Sequence, residues 1–566
     1  MLLKSRSTIL LAAAAVACCT AAVRANGGQN PYSVYYDDIS LPQLIKIAPT
    51  INGSGVDVME IEAPTGYTAS GGPEFEVSPA KAGQPAADFS YISTFSAVSP
   101  TTYDSSLSSA HADAVAGLFF GNSATYADNT HSGVAWGVSY IYNVDAITGW
   151  NWYGVTLPHN ASILPYGYYY TNGVVPPAPT STPLIVNDSW ILNTGTVSSG
   201  SYVLGMDQHA AQYNILFINA IGDGTSNGPS KVNPPATMYN GIAVAAYNGT
   251  ETNGIFSPST GTPATWVGPT PGGRSKPDIT APGPYAVTSY TTPVVSGVAT
   301  LLAQAAADNV GGTGTAGNAT DMRVIKALLL NGAVKPQGWT NNYTRVLSGT
   351  GSTQTQTLTY LAESSTTATP LDPRYGAGVV NALNSYENLA AGEHSFDATT
   401  SATYTSGVAP SWAFDHTAST HQPGLEGWNL AGIANSSGAD AIEHYIFNLG
   451  STAPYSLTAT LVWNLDTGAT GINNLYLALV NSAGNLVGLS DSNVDNVQQL
   501  NLAGLTAGTY DLQVLKLGGT MVSSNETYAL AYNFVAAPEP SCLPLLALGL
   551  GVPLLIRRRS GSGTFF

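Results

Sequence analysis

"SKPDITAPGPYAVTSYTTPVVSGVATLL", Ser275 to Leu302, is the stretch on which the reading of the fold turns. An apolar, Ala/Val-rich run follows Ser289, with Pro293 four places on. The run reads as a buried helix with a Pro near its start. A Ser at the mouth of such a helix has two readings. It caps the first turn, or it is a nucleophile on fixed backbone whose own N–H faces the place where an oxyanion would form. The rest of the chain decides.

At 566 residues the chain exceeds one compact core and implies two or three domains. Hydrophobic residues make up 44% and charged residues only 9%, the reverse of a disordered chain, so most of it folds. So few charges beside 60 Gly, 31 Tyr and abundant Ser and Thr suggest an exported protein solvated by hydroxyls and amides. A formal charge of −17 with no basic stripe excludes nucleic acid as a partner.

Both ends read as addresses. Residues 1–25 carry Lys4 and Arg6, the apolar run "TILLAAAAVACC" and "AVRA" before Asn26, the layout of a signal peptide. A short leader, 26–50, follows. Residues 536–566 contain Pro538-Glu539-Pro540, an apolar stretch from Cys542 to Ile556 and Arg557-Arg558-Arg559. That triplet resembles the PEP-CTERM sorting signal of bacterial envelope proteins, with an ordinary C-terminal anchor as the alternative. The stretch is short and Pro-interrupted for a permanent span, and the basic cluster would stay cytoplasmic. The resemblance implies transient membrane anchoring, a processing transpeptidase as partner, and a bacterial envelope or extracellular location. All three cysteines (Cys18, Cys19, Cys542) lie in these ends, so the body has no disulfide, no Cys-based zinc site and no thiol nucleophile.

Between the ends, "GSGVDVMEIEAP", "GVSYIYNVDAI", "PLIVNDSW", "YNILFINAIGDG" and "GIAVAAYNG" read as strands. "HADAVAGLFFG", "DMRVIKALLLNGA" and "GAGVVNALNSYENL" read as helices. This alternation predicts an α/β domain over 51–392, with a largely parallel sheet covered on both faces. Beyond Glu393, short alternating strands with Gly/Asn/Ser turns predict an antiparallel β-sandwich over 393–535.

"SKPDITAPG" followed by "VTSYTTPVVSGVATLL" resembles the subtilisin-like serine proteases, the subtilases. Their nucleophile motif is Gly-Thr-Ser-Met-Ala-x-Pro, with Lys-Pro-Asp-x-x-Ala-Pro-Gly upstream. The resemblance puts Ser289 on the nucleophile, Thr288 on the Thr before it and Pro293 on the Pro. Val287 stands where the family has Gly. "HADAVAG" is similar to His-Gly-Thr-His-Val-Ala-Gly and puts His111 on the general base, while His131 reads as a solvated loop residue. "GSGVDVMEIEAP" is similar to the first-strand motif that ends in the catalytic Asp, and Glu62 holds that position. Glu is about 1.5 Å longer than Asp, and a misplacement of about 1 Å costs on the order of 10²-fold in rate. Asp57, the alternative acid, lies five residues earlier and would point to the other face of the strand.

"YNILFINAIGDG" is similar to the strand ending Ala-Ala-Gly-Asn, so Asp223 replaces the Asn that donates to the oxyanion, beside the N–H of Ser289. Loss of that donor in a subtilisin costs about 10²–10³ in kcat. An ionised Asp would repel the oxyanion and a protonated one could donate; a prohormone convertase in the family carries Asp there and is a protease. Asn187 and Asn227 are other candidate donors that spacing does not separate. "IVNDSWIL" resembles the strand that pairs with substrate, which puts Ser189 and Trp190 in the substrate subsites by β-augmentation. The resemblance implies a polypeptide substrate and no required cofactor. It allows a structural calcium ion without naming its site; Asp491, Asn493 and Asp495 alternate as oxygen ligands would, or as turn residues do.

Two functions follow. One is an exported serine endopeptidase with a Ser289–His111–Glu62 triad. The other is an inactive subtilase fold kept as an envelope binding or structural module. Glu62, Asp223, Val287 and the altered histidine motif favour the second, and an acid, His and Ser in register favour the first. Residues 26–50 have no room for the family's usual pro-domain, which separates neither.

Overall fold

The computed structural model describes residues 33–68, 72–93, 102–122, 133–152, 184–191, 199–223, 232–247, 250–252, 255–257, 274–283, 287–312, 316–341, 343–348, 355–360, 366–367, 369–396, 398–403, 423–450, 454–519 and 521–537. Residues 1–32, the Pro-Glu-Pro segment with all that follows it, His131 and Asn227 lie outside the described residues.

Seven strands make the first sheet: β1 Asp57–Glu62, β2 Phe89–Ile92, β3 Ile141–Asp145, β4 Leu184–Asp188, β5 Ile215–Ala220, β6 Ile242–Tyr247 and β7 Ile279–Pro282. They pair in the order β2-β3-β1-β4-β5-β6-β7, every pair parallel. This is the expected largely parallel sheet. Helices α1 Ala110–Phe119, α2 Ser199–Tyr213, α3 Thr288–Ala307, α4 Met322–Gly332 and α5 Ala382–Ala390 accompany it.

Alternate strand residues serve opposite layers, as the pleat requires. Val58, Ile185, Leu216 and Ile218 join the core formed with α1 and α3, while Met59, Ile61, Val186 and Phe217 join the core that includes Tyr202, Val203 and Met206 of α2. Glu60 and Glu62 therefore fall on the α1/α3 face, together with Val58. Asp57 shares the opposite parity, with Met59 and Ile61.

The helix starts are chemically explicit. Ser109 caps α1 by accepting from Ala112 N–H, Asp321 caps α4 and Asn381 caps α5. Helix α3 differs, because its N-cap is Val287, which has no capping side chain. The cap comes from the end of β5: Asp223 Oδ1 accepts from Thr288 N–H at 2.7 Å and from Thr288 Oγ1 at 2.9 Å. Gly222 permits this turn with φ +100°, and a Cβ there would stand 2.7 Å from Asn233 Nδ2. Deeper in α3, a Cβ on Gly297 would lie 2.4 Å from the Val134 Cβ, so the helix passes close against that segment.

Ten further strands follow: β8 Thr366–Thr367, β9 Ala398–Thr403, β10 Glu426–Ala434, β11 Ala439–Leu449, β12 Tyr455–Trp463, β13 Leu475–Asn481, β14 Leu486–Ser490, β15 Val497–Leu505, β16 Gly508–Lys516 and β17 Asn525–Ala536. They form a six-stranded sheet, β8-β14-β13-β16-β11-β9, and a four-stranded sheet, β10-β17-β12-β15. Tyr445, Phe447, Leu461, Leu477, Leu512 and Tyr532 close the core between them.

Helix α4 lies between the parallel sheet and β12 and β17, buried on all sides. Its Lys326 spends its ammonium on the carbonyls of Tyr239 and Gly241, each at 2.9 Å, and burial pulls its pKa down to about 8. Beside it, Asn240 exchanges two hydrogen bonds with the backbone of Leu465, at 2.8 and 2.9 Å. Asp495 holds the N–H and hydroxyl of Ser275 and the hydroxyl of Ser492, so its carboxylate joins the sandwich to the strand of the Lys-Pro-Asp motif.

Helix α2, strand β2 and the helices of the leader are among the elements that escape the sequence reading. Helix α2 interrupts its apolar stripe with Gly and Ser, and β2 is a four-residue edge strand. The leader holds two short helices, Ser33–Asp38 and Leu41–Ile47, whose Leu41 and Leu44 enter the main core. Among the described residues no helix is long and apolar enough to cross a membrane.

The junction gives a stability prediction. Asn240→Ala leaves the Leu465 N–H and C=O buried and unpaired, at a cost of about 1–3 kcal/mol. The urea midpoint should fall accordingly, and an unchanged midpoint would show that Asn240 does not join the two parts.

Candidate active site

The carboxyl ends of β1, β4 and β5 converge with the N-termini of α1 and α3, where ligands gather in open parallel sheets. Each element delivers one group. Strand β1 ends on Glu62, whose side chain is 1% exposed. The first turn of α1 presents His111, 26% exposed. The two meet at 2.6 Å, His111 Nδ1 to Glu62 Oε1. A carboxylate in that place orients the ring and fixes the proton on Nδ1, leaving Nε2 for the reacting partner. The longer Glu is accommodated without losing this contact.

The negative charge of Glu62 holds the His111 pKa above its ordinary value. Burial works against that rise, and the hydrogen bond to Glu62 and the nearby charge of Asp223 add to it. Asp223 is thus near enough to act on His111 while it caps α3.

Ser289 is the second residue of α3, half-buried, and is not its cap. Asp223 has that task, which leaves Ser289 unused for capping. In the first turn Tyr290 N–H and Thr291 N–H both bond to the Val287 carbonyl, and Thr288 N–H bonds to Asp223. Among the described residues nothing accepts the Ser289 N–H. Pro293 has no N–H to return to the Ser289 carbonyl four residues back. The Ser289 hydroxyl donates to the backbone carbonyl of Ser189 at 3.1 Å, and not to His111.

The other expected residues take varied places. Ser189 is buried, and its hydroxyl accepts from the Asn187 amide at 3.0 Å. Asn187 Oδ1 accepts from Ser296 Oγ at 2.9 Å, so this amide is committed inside the fold and is not turned toward Ser289. Trp190 is 7% exposed and belongs to the apolar core with Met59 and Ile61, so its side chain is core. Among the described residues no strand pairs with 189–191, which leaves backbone there for an added strand. Among the described residues no three His, Cys, Asp or Glu side chains gather as a metal site.

Two residues were not singled out from sequence. Tyr290, directly after Ser289, sets its ring 5.8 Å from the His111 ring at a 32° tilt, covering the imidazole. The signal was an aromatic where the subtilase motif has Met. Glu60 is the second: fully buried two residues before Glu62, with neither carboxyl oxygen hydrogen-bonded.

With this geometry in place, comparison with known proteins is informative. The sequence model of the subtilase family matches residues 79–361, half of the chain. No curated protein matches the sequence. Among solved structures, the prenylagaramide maturation protease PagA is similar at 16% identity over 61% of this chain and 98% of its own, TM-score 0.32. The Aeromonas sobria serine protease, solved in complex with a chaperone, is similar at 14% identity over 86% of this chain and 89% of its own, TM-score 0.35. The MycP3 protease of a type VII secretion system is similar at 14% identity over 64% and 90%, TM-score 0.34. These superpositions are weak, and the family assignment stands on the sequence match.

Glu62→Gln removes the charge and should lower the His111 pKa, because burial then prevails. Carbon-13 NMR of labelled histidine, with His111 assigned by substitution, reads this directly. A raised pKa stabilises the fold below about pH 6.5, and that contribution is lost as pH rises through the folded-state value. The parent's stability advantage over Glu62→Gln should therefore shrink with rising pH. An unmoved His111 titration would contradict the assignment of the shift to Glu62.

Proposed function

We propose that this chain, which belongs to the subtilase family, is an exported serine endopeptidase using Ser289, His111 and Glu62. The observation that carries the reading is the 2.6 Å bond from buried Glu62 to His111 Nδ1, beside a Ser in the first turn of α3 that has no capping duty.

In the proposed reaction a polypeptide lies along residues 189–191 as an added strand. The Ser289 hydroxyl leaves the Ser189 carbonyl and turns to His111 Nε2. Its oxygen attacks the peptide carbonyl carbon while His111 takes the proton, and Glu62 stabilises the imidazolium. The oxyanion meets the Ser289 N–H. Collapse breaks the C–N bond, and His111 returns the proton to the leaving amine. Water then repeats the sequence on the acyl-enzyme, with His111 as base and Ser289 as leaving group.

Asp223 is the weak point of this site. One oxygen is bound to Thr288, and an ionised carboxylate beside the oxyanion opposes its formation. Export rests on the N-terminal sequence, and transient anchoring with release by a processing transpeptidase rests on the C-terminal sequence. A second reading, an inactive envelope module, is favoured by one contact: the Ser289 hydroxyl rests on the Ser189 carbonyl.

A fluorophosphonate probe applied to the full chain, beside Ser289→Ala, separates the two. Labelling at Ser289 in the parent alone, located by mass spectrometry, supports the peptidase. Absence of labelling from acid to alkaline pH supports the inactive module. Asp223→Asn keeps an oxygen for Thr288 and adds an N–H donor, so peptide hydrolysis should rise by up to about 10²-fold. An unchanged rate would remove Asp223 from the oxyanion site.

A further inference from the structure

Glu60 stands out among the buried ionisable groups that the proposed reaction does not use. The "DVMEIE" of β1 places Glu60 and Glu62 on one face of one strand, two residues apart. Both are buried, at 0% and 1% exposure. Glu62 gives Oε1 to His111, and its Oε2 is buried with no hydrogen bond. Glu60 has both oxygens buried with no hydrogen bond, and among the described residues no cation pairs with it. Buried polar atoms are rarely left so, and here three such oxygens share one strand face.

The groups around them offer Glu60 no counter-charge. From α1 come His111, committed to Glu62, and Asp113, which is held by Lys81 Nζ and the Ser78 N–H. From β3 come Asn143, whose Oδ1 accepts from Val77 N–H, and Asp145, whose carboxylate is bound by the residues just after it. From β4 comes Asn187, committed to Ser189 and Ser296. A second carboxylate has no place beside Glu62, and burial with the charges of Glu62 and Asp113 drives Glu60 toward its protonated form. A protonated carboxyl is a donor, and the orphaned acceptor on the same face is Glu62 Oε2.

We propose that Glu60 is a positioning residue of the Glu62–His111 pair, acting as a buried neutral carboxylic acid whose O–H donates to Glu62 Oε2 and leaves Glu62 the single charge behind the imidazole. It rests on the peptidase reading only for its consequence. The chain Glu60–Glu62–His111 itself is a matter of protons and is read without turnover.

A donor on Glu62 stabilises the deprotonated pair, so removing it raises the pair's affinity for a proton. In the full chain with carbon-13-labelled histidine, Glu60→Val should raise the apparent His111 pKa by about one pH unit, the worth of a hydrogen bond to a charged group. Val suits a buried strand, so the variant should fold. Glu60→Gln keeps an N–H donor and should leave the His111 titration where it is in the parent. A fall of the His111 pKa in both variants would mean that Glu60 carries charge, and would overturn the proposal. No change in either would mean that Glu60 does not touch the pair, and would overturn it equally. Because the readout is the ring itself, an unreactive Ser289 would count against the peptidase alone.

Discussion

The hydrogen bonds from Thr288 to Asp223 are the constraint on which the site depends. They pin the mouth of α3 to the carboxyl end of β5 and replace the side-chain cap that Val287 cannot supply. Ser289 therefore enters the helix as its second residue, with a fixed backbone and a free N–H. The Gly222 N–H donates to Thr288 Oγ1 at 3.2 Å and tightens the same joint. A residue that would be a flaw in an oxyanion hole is thus a structural part at the mouth of α3.

The acid side of the site obeys a different constraint. Strand β1 is buried on both faces, yet it carries two glutamates on the α1/α3 face. One carboxylate paired with His111 is tolerable there, because the imidazole Nδ1–H donates to it. Two ionised groups would not be, since each pays the cost of burial and repels the other. Holding one of them neutral reconciles the sequence with the burial. On α3, Thr292 returns its hydroxyl to the Thr288 carbonyl, and Ser296 gives its own to Asn187 Oδ1 of β4.

Much of this was legible in the residues. Strand alternation and closing Gly or Asn residues marked β1, β3, β4, β5 and β6, and the family resemblance named Glu62 and His111, which meet at 2.6 Å, and Ser289, which stands at the mouth of α3. Helix α2 was not legible, because its apolar residues are spaced among Gly and Ser and gain their meaning only from the sheet face they cover. The resemblance marked the position of Asp223, whereas its grip on Thr288 is a tertiary contact between segments 65 residues apart. The resemblance of "IVNDSWIL" to the substrate strand concerns backbone, whereas the burial of the Trp190 side chain with Met59 and Ile61 follows from side-chain parity in the folded sheet. Glu60 passed unnoticed because a strand pattern says which face a residue takes, and says nothing of whether its carboxyl finds a partner.

The central claim is that Glu62 and His111 activate Ser289. Its most direct measure is the rate of Ser289 phosphonylation as a function of pH in the parent and in His111→Ala. The account predicts a single rise to a plateau in the parent, with a midpoint above the ordinary histidine value, and no such transition in the variant. A parent rate that climbs with hydroxide without levelling, and that the variant matches, would contradict it.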